Sequence, residues 1–277
     1  MPDDHADDAC IPINLKALGI PVRLNVRGDQ RKVLATQLRS AWSRCLVEEH
    51  LAGLDDPVTL AVLADTDGSA VAESRVALSS TSLPRLMDAI SPAVTVAAIE
   101  RQAGELLMLH ACGLADPRTG RTIALVAPSG TGKTTAASTL GRHLSYVSDE
   151  TVGVTADGTV VAYPKPLSVL VGPDDTVKQQ VDPGVLGLPV APERLELAAI
   201  LWLDRDPDGP ERPTVESMPT VRAIAQLSPQ ISSLTRFETP LRRVASTLHR
   251  VGGLHRVRYR EVGDLRPIVS GLLDGAR

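Results

Sequence analysis

The chain has 277 residues and a formal net charge of −4, with 43% hydrophobic and 22% charged residues. This composition is typical of a globular protein with a real hydrophobic core, and it excludes a disordered chain. The acidic balance and the 2% aromatic content argue against a nucleic-acid or membrane-surface binder, which needs basic patches or stacking side chains.

Cysteine and histidine spacings predict neither a disulfide framework nor a zinc site. The three cysteines lie far apart, and the six histidines show no metal-binding spacing. Residues 1–9 are acidic and lack the apolar stretch of a signal peptide, and no apolar run reaches the roughly 18 residues of a membrane span. We therefore expect a reduced, cytoplasmic protein with no membrane segment.

The first third of the chain is predicted to be a small α/β domain. Periodicity and turn residues predict the following elements: strands over residues 22–26, 58–63 and 70–78, a helix from Asp29 to about Leu51, and a helix over residues 83–104 that Pro92 interrupts. The polar residues here form no recognisable constellation. We expect residues 1–104 to act as a scaffold or to dock a substrate.

Residues 105–277 are predicted to form a second domain, also α/β. The predicted strands cover residues 106–112, 122–126, 146–148, 152–154, 159–163, 167–171, 197–204 and 257–259. The predicted helices cover residues 133–144, 224–227, 234–251 and 265–273. Asp157-Gly158 marks a hairpin between two of the strands.

A phosphate-binding loop is indicated between the strand at 122–126 and the following helix. Residues 127–134 are Ala-Pro-Ser-Gly-Thr-Gly-Lys-Thr, which fits the loop pattern except that Ala replaces the first Gly. Lys133 can reach the β- and γ-phosphates of ATP, Thr134 can place its hydroxyl on Mg²⁺, and the helix N-terminus adds unpaired N–H groups. The predicted ATP-binding residues are Pro128, Ser129, Gly130, Thr131, Gly132, Lys133, Thr134 and Thr135. The alternative is a glycine-rich turn with an exposed lysine.

An acid pair, Asp149-Glu150, follows the strand at 146–148. If that strand runs parallel to the one that feeds the loop, both end at the same sheet edge, and the acids arrive beside the γ-phosphate. One acid can then orient or deprotonate an attacking hydroxyl while the other holds Mg²⁺. The alternative is an acidic surface turn.

Three further residues carry open alternatives. His110 ends an apolar stretch and is either a site residue or a buried core histidine. Asp204 ends an apolar strand and competes with the acid pair for the magnesium role, unless it is only loop solvation. Lys165 lies between two prolines in a chain with few lysines, so it either binds phosphate or an acidic substrate or is a solvated loop residue.

Taken together, three segments resemble the catalytic core of the HPr kinase/phosphorylase superfamily, and more closely its HPr-kinase-like relatives, some of which accompany peptide-modification gene clusters. The segments are Leu109-His110-Ala111, residues 123–135 and residues 146–150. The resemblance covers about residues 105–165. It implies a P-loop kinase fold related to phosphoenolpyruvate carboxykinase, Mg-ATP as phosphoryl donor and a serine hydroxyl as acceptor.

Site roles follow from the same resemblance. His110 falls on the family's active-site histidine, Lys133 and Thr134 on the loop lysine and hydroxyl, and Asp149 on the catalytic base. Glu150 stands where the family usually has a second Asp, and we expect it to serve the metal with Thr134. The family's glycine-rich signature is not recognisable in residues 162–168, so the resemblance does not extend to HPr as substrate.

The sequence therefore predicts an ATP-dependent kinase that phosphorylates a hydroxyl of a peptide, a protein or a small molecule, with serine as the expected acceptor residue. The alternative is a nucleotide-binding accessory ATPase without an acceptor, which acts as a switch or binding module with Asp204 on the metal. No nucleic-acid or membrane partner is expected, and a homo-oligomer is compatible with the sequence.

Overall fold

The computed structural model describes residues 10–47, 56–74, 76, 78–128, 131–170 and 177–275. The protein is mixed α/β, as predicted, and its chain divides into two compact units. The first unit comprises Met1–Arg101 and Lys165–Asp182, and the second comprises Gln102–Pro164 and Pro183–Arg277.

The first unit is built on a four-stranded sheet in the order β1-β2-β3-β4. Its elements are β1 (Ile11–Ala17), β2 (Ile20–Arg27), α1 (Arg31–Ala41), a 3-10 helix (Ser43–Cys45), β3 (Val58–Ala64), α2 (Gly68–Glu73), β4 (Leu78–Ser80) and α3 (Leu83–Arg101). β1 and β2 form an antiparallel hairpin, whereas β2, β3 and β4 are parallel. Leu34 and Leu38 on α1 and Ile90 on α3 are fully buried, so both helices contribute to the core.

Three predicted elements of this unit differ in the structure. The strand predicted over residues 70–78 is wrong for its first part, where α2 forms because the Asp67 side chain accepts a hydrogen bond from the Ser69 N–H and caps the helix. α1 is shorter than predicted and ends at Ala41; the predicted end near Leu51 lies outside the described residues. α3 continues through Pro92, because buried residues on both sides of the proline offset its cost of about 3 kcal/mol.

The second unit begins with a strand-rich segment that contains the predicted phosphate loop. Its elements are β5 (Leu107–Ala115), β6 (Arg121–Val126), α4 (Lys133–Leu140), β7 (Ser145–Ser148), β8 (Thr151–Val154) and β9 (Val160–Val161). β8 and β9 are antiparallel, which confirms the hairpin predicted around Asp157-Gly158. The helix predicted to end at residue 144 ends four residues earlier.

Residues 165–182 belong to the first unit, although the sequence predicts one continuous domain over residues 105–277. This segment forms an antiparallel pair of short strands, β10 (Leu167–Val169) and β11 (Gln179–Val181). The Gln180 side chain donates to Asp88 on α3 at 3.4 Å, and the Ser43 hydroxyl donates to Asp182. These polar contacts join the segment to helices that lie far earlier in the chain.

The remaining elements complete a mixed sheet in the second unit. They are β12 (Glu196–Arg205), β13 (Thr214–Met218), α5 (Thr220–Leu227), a 3-10 helix (Ser228–Gln230), β14 (Ile231–Ser232), a 3-10 helix (Leu234–Arg236), α6 (Pro240–Arg250), β15 (Leu254–Tyr259), a 3-10 helix (Val262–Leu265) and α7 (Arg266–Asp274). The main strand order is β13-β15-β12-β6-β5-β8-β9, and β7 and β14 also pair with β5. β12 is parallel to both β6 and β15, and β13 is antiparallel to β15.

The pairing of β5 with its two neighbouring strands shows where those strands end. It runs antiparallel to both β6 and β7, with Ala111 opposite Val126 and Gly113 opposite Ser148. β6 and β7 therefore run in the same direction, as predicted, but β5 lies between them. Since Val126 and Ser148 are the last residues of their strands, both strands end at one edge of the sheet, and His110 on β5 lies at that edge.

Candidate nucleotide-binding site

The predicted phosphate loop connects the buried strand β6 to α4. Val126 and Ala127 are fully buried, so the start of the loop is anchored in the core. Gly132 precedes α4 with φ of 92°, a left-handed conformation that favours glycine, and its carbonyl accepts from the Ala136 N–H at 2.8 Å. Ser129 and Gly130, also predicted to bind ATP, lie outside the described residues.

Two threonines lie at the start of α4, one before it and one within its first turn. The Thr131 hydroxyl donates to the Pro128 carbonyl at 2.5 Å, which closes the loop on itself. Thr135 is exposed on the first turn of the helix. The polypeptide around Lys133 is thus a compact turn that leads directly into a helix N-terminus, where backbone N–H groups lack helical partners.

Lys133 turns back over the loop. Its Nζ donates to the Ala127 carbonyl at 2.7 Å and to the Pro128 carbonyl at 3.1 Å. Burial lowers the pKa of Lys133, while the nearby Cys112 thiol and the carboxylates of Glu150 and Asp149 oppose that effect. The alternative of an exposed lysine is therefore wrong, because only 8% of this residue is accessible.

Thr134, Asp149 and Tyr146 form a hydrogen-bonded group. The Thr134 hydroxyl donates to Asp149 Oδ2 at 3.3 Å, and the Tyr146 hydroxyl donates to Asp149 Oδ1 at 3.1 Å. Asp149 is 5% exposed and Tyr146 is fully buried. The first acid of the pair therefore faces the α4 N-terminus rather than forming an acidic turn on the surface.

Ser148 shapes the turn that carries the acid pair. Its hydroxyl oxygen accepts from the backbone N–H of Glu150 at 3.3 Å and from that of Thr151 at 3.2 Å. The Glu150 carbonyl accepts from the Ala111 N–H at 3.1 Å, which ties the turn to β5. Glu150 is half-buried, so the two acids differ in their access to solvent.

His110 lies beside this turn on β5. Burial lowers the pKa of its imidazole, and the positive charge of Lys133 lowers it further. Glu150, through its charge and a backbone hydrogen bond, and Asp149, through its charge, act in the opposite direction. His110 is half-buried, so it combines features of the two alternatives: it is packed into the sheet and it lies next to the acid pair.

Three oxygen-bearing side chains at this edge could hold a metal. Within the described ranges, no group of three or more His, Cys, Asp and Glu side chains is arranged to hold a metal by itself. Proteins bind Mg²⁺ through one or two carboxylates together with water and substrate phosphates, and they do not need such a cage. Thr134, Asp149 and Glu150 supply oxygen ligands of this kind.

Asp204 is not part of this group, and Lys165 belongs to the other unit. Asp204 lies near the end of β12, but its Oδ2 accepts from Arg256 Nε at 2.9 Å and from Nη2 at 2.5 Å, across to β15. Asp206 is paired with Arg258 in the same way. Lys165 belongs to the first unit, where it is 2% exposed; the alternative of a solvated loop lysine is wrong.

Two residues of the site were missed in the sequence. Tyr146 lies three positions before Asp149, and a tyrosine in a short buried strand next to an acid was the available signal. Cys112 is fully buried on β5 close to Lys133 and Asp149, and burial raises the pKa of its thiol. Its proximity depends on the pairing of β5 with β6 and β7, which the sequence does not display.

The comparison with known proteins finds only a weak structural match. The structure of the Hpr(Ser) kinase/phosphatase from Coxiella burnetii matches with a TM-score of 0.31 and 11% identity, over 61% of this chain and 94% of that chain. No protein-family model and no curated protein matches the sequence. Among the described residues, no helix is long and apolar enough to cross a membrane. A similarity at this level supports no conclusion about activity. Any proposal about activity must therefore rest on the geometry of the site.

Proposed function

We propose that the protein is an ATP-dependent phosphotransferase that transfers the γ-phosphoryl group to a hydroxyl. The observation that carries the proposal is the hydrogen bond between Thr134, on the first turn of α4, and Asp149, at the end of β7. This contact supports the proposal because it places a loop hydroxyl, which can reach Mg²⁺, directly beside a strand-end carboxylate, which can accept a proton next to the phosphates of ATP. Lys133, which starts α4, supplies the positive charge beside them.

The loop and the helix provide the binding energy for the nucleotide. The N–H groups at the start of α4 and the ammonium group of Lys133 favour phosphate oxygens. Lys133 Nζ now donates to two loop carbonyls, and phosphate oxygens would replace these weaker neutral acceptors. Bound Mg²⁺ would neutralise phosphate charge, and Thr134 and Glu150 are the residues that we propose to hold it.

The acid pair provides the chemistry in this proposal. Asp149 takes the proton of the acceptor hydroxyl while that oxygen forms a bond to the γ-phosphorus, and the bond from phosphorus to the β–γ bridging oxygen breaks. ADP leaves with the electron pair of the broken bond. His110, next to the turn that carries the acids, is proposed to orient the acceptor, which is a serine hydroxyl of a peptide or protein or a small-molecule hydroxyl.

Nucleotide binding is tested by calorimetry with the Lys133→Ala variant. We expect Mg-ATP to bind the full-length protein, and the substitution to weaken binding by about 10- to 100-fold, the usual effect of losing a charged hydrogen-bonding partner. Lys32→Ala is the matched control, because Lys32 is an exposed lysine on α1 in the first unit. Equal affinity of all three proteins for Mg-ATP would refute the proposed nucleotide site.

The acceptor is sought by incubating the protein with γ-labelled ATP and a library of serine-, threonine- and tyrosine-containing peptides. Mass spectrometry would identify each phosphorylated residue. We expect a gain of one phosphoryl group on a hydroxyl, absent with Asp149→Asn. ATP hydrolysis that no hydroxyl compound alters would instead favour the accessory ATPase.

A further inference from the structure

A buried tyrosine directly contacts the acid to which the proposed function assigns the chemical step. The hydroxyl of Tyr146 donates to Asp149 Oδ1 at 3.1 Å, and no part of Tyr146 is exposed. Thr134 donates to the other oxygen of the same carboxylate, Oδ2. The two oxygens of Asp149 thus accept from donors that lie on different elements, β7 and α4.

We propose that Tyr146 is a positioning residue that fixes the carboxylate plane of Asp149 for phosphoryl transfer, an inference that rests on the proposed function. The terminal torsion of an aspartate is broad and does not fix the carboxylate by itself. One hydrogen bond leaves the group free to turn about that contact, whereas two bonds to different oxygens define its plane. A misplacement of about 1 Å in a reacting group can cost about 100-fold in rate.

The local fold explains how the tyrosine reaches an acid only three residues away. Tyr146 lies in the extended strand β7, and the chain turns immediately after it, at Asp149-Glu150. The Ser148 hydroxyl holds this turn by accepting from two backbone N–H groups. The turn brings the Asp149 carboxylate back toward the Tyr146 side chain, so the contact depends on the Ser148 turn as well as on the tyrosine.

Tyr259 shows that packing alone does not account for the Tyr146 contact. Tyr259 is also fully buried in the second unit, but its hydroxyl has no hydrogen-bond partner among the described residues. Within the described part of the chain, the Tyr146 hydroxyl therefore bonds a carboxylate, whereas the Tyr259 hydroxyl has no partner. The pair offers a matched comparison, because replacement of either residue by phenylalanine removes a single buried oxygen atom.

The experiment measures steady-state hydrolysis of Mg-ATP, in which water takes the place of the acceptor, for the wild-type, Tyr146→Phe and Tyr259→Phe proteins. We expect Tyr146→Phe to lower kcat about tenfold, within the range for a hydrogen bond to a charged group, and to change the KM for Mg-ATP by less than about twofold. The KM is retained because Lys133 and the loop, not Tyr146, bind the phosphates. Tyr259→Phe should leave both constants unchanged.

The outcomes separate this inference from the proposed function. If the wild-type protein neither binds nor hydrolyses Mg-ATP, the proposed function fails and the inference fails with it. If the wild type is active and Tyr146→Phe matches Tyr259→Phe, only the positioning role is refuted. A rise in KM without a fall in kcat would also refute it, because it would assign Tyr146 to nucleotide binding. The ring is retained in both variants, so packing of the strands is preserved.

Discussion

At the scale of single residues, burial and, after it, the charges around the loop shift the pKa of His110. Burial and the Lys133 ammonium lower the pKa of His110, and Glu150 and Asp149 oppose them. Because the net direction is downward from an ordinary value of about 6.5, the imidazole is neutral at pH 7. A neutral imidazole can accept a hydrogen bond from a substrate hydroxyl, which an imidazolium cannot.

The first prediction concerns this coupling. Lys133→Met removes the positive charge and keeps the length of the side chain, so the pKa of His110 should rise toward its ordinary value. The titration of the His110 ring, followed by NMR in the wild-type and variant proteins, measures the change. Lys32→Met serves as the control and should leave the titration unmoved. A fall in the His110 pKa in Lys133→Met would contradict the assigned electrostatics.

The second prediction separates the roles of the acids. Asp149→Asn should keep the affinity for ATP and lower kcat by about 100-fold or more, because it removes the proton acceptor that acts in the transition state. Glu150→Gln should mainly raise the Mg²⁺ concentration that gives half-maximal rate. Asp204→Asn is the control and should leave the Mg²⁺ requirement unchanged, because Arg256 already occupies that carboxylate. A Mg²⁺ effect in Asp204→Asn alone would favour the accessory ATPase.

These residues show what the sequence can predict about a site. Lys133 and Thr134 are adjacent and begin one helix, and Asp149 directly follows the next strand. Together with the expected parallel direction of the two strands, these local patterns predicted that the residues meet. The Asp204–Arg256 pair was not predictable, because it requires parallel pairing of β12 with a strand about fifty residues later. Tyr146 was missed for a different reason: a tyrosine close to an acid is visible in the sequence, but the strand pattern does not show whether its hydroxyl reaches the carboxylate.

At the scale of elements, the junction between the loop and α4 depends on the backbone freedom of one glycine. Gly132 has φ of 92°, and a Cβ added there would lie 4.0 Å from the Thr135 side chain, so space is not limiting. The cost of any side chain at this position is therefore conformational. Gly271, inside α7, provides the opposite case, since a Cβ there would meet nothing within 4 Å and its φ is not positive.

The third prediction follows from this contrast. Gly132→Ala should destabilise the second unit by about 1–2 kcal/mol, the cost of a left-handed conformation for an L-residue. Gly271→Ala should stabilise it by about 0.5–1 kcal/mol, because alanine loses less entropy in a helix interior. Urea unfolding of both variants measures the free energies. Equal effects of the same sign would show that backbone conformation does not govern the response at Gly132.

Some helices and strands were predicted correctly and others were not, and the reasons are physical. Buried strands with apolar runs, such as β6 and β12, were found because burial on both faces leaves an unbroken apolar signature. α2 was predicted as a strand because six residues are too few for helical periodicity, so the Asp67 cap decides the conformation. α3 was predicted to be interrupted at Pro92 because its compensating contacts come from the rest of the first unit.

At the scale of the whole molecule, the division of the chain is not the one that sequence order indicates. The first unit contains residues 1–101 and also residues 165–182, which interrupt the second unit in the sequence. Prolines lie at both crossings, Pro164 and Pro166 at the first and Pro183 at the second, but the chain has 21 prolines and they do not by themselves mark a change of unit. Within this segment Leu167 is fully buried, and Lys165, although charged, is 2% exposed. Lys165 and Asp182 act electrostatically on Cys45, whose pKa burial raises to about 12.

The last prediction tests this division with two shortened proteins. A fragment of residues 105–277 keeps the 165–182 segment but removes α3 and the 3-10 helix at Ser43–Cys45, which carry its partners Asp88 and Ser43. Without these partners, Leu167 would be exposed to water, and Lys165 would either be exposed or stay buried in an incomplete environment. Each change is unfavourable, and together they cost several kcal/mol. We expect this fragment to aggregate or to bind an apolar dye.

The second shortened protein joins residues 102–164 to residues 183–277 through a flexible Gly-Ser linker of about ten residues or more. It contains the whole second unit and no orphaned part of the first, so we expect native-like near-UV circular dichroism and a cooperative thermal transition. Mg-ATP calorimetry then reports separately whether the loop is functional. If the fragment of residues 105–277 is the better folded of the two, residues 165–182 contribute their stability to the second unit, and the division described here is refuted.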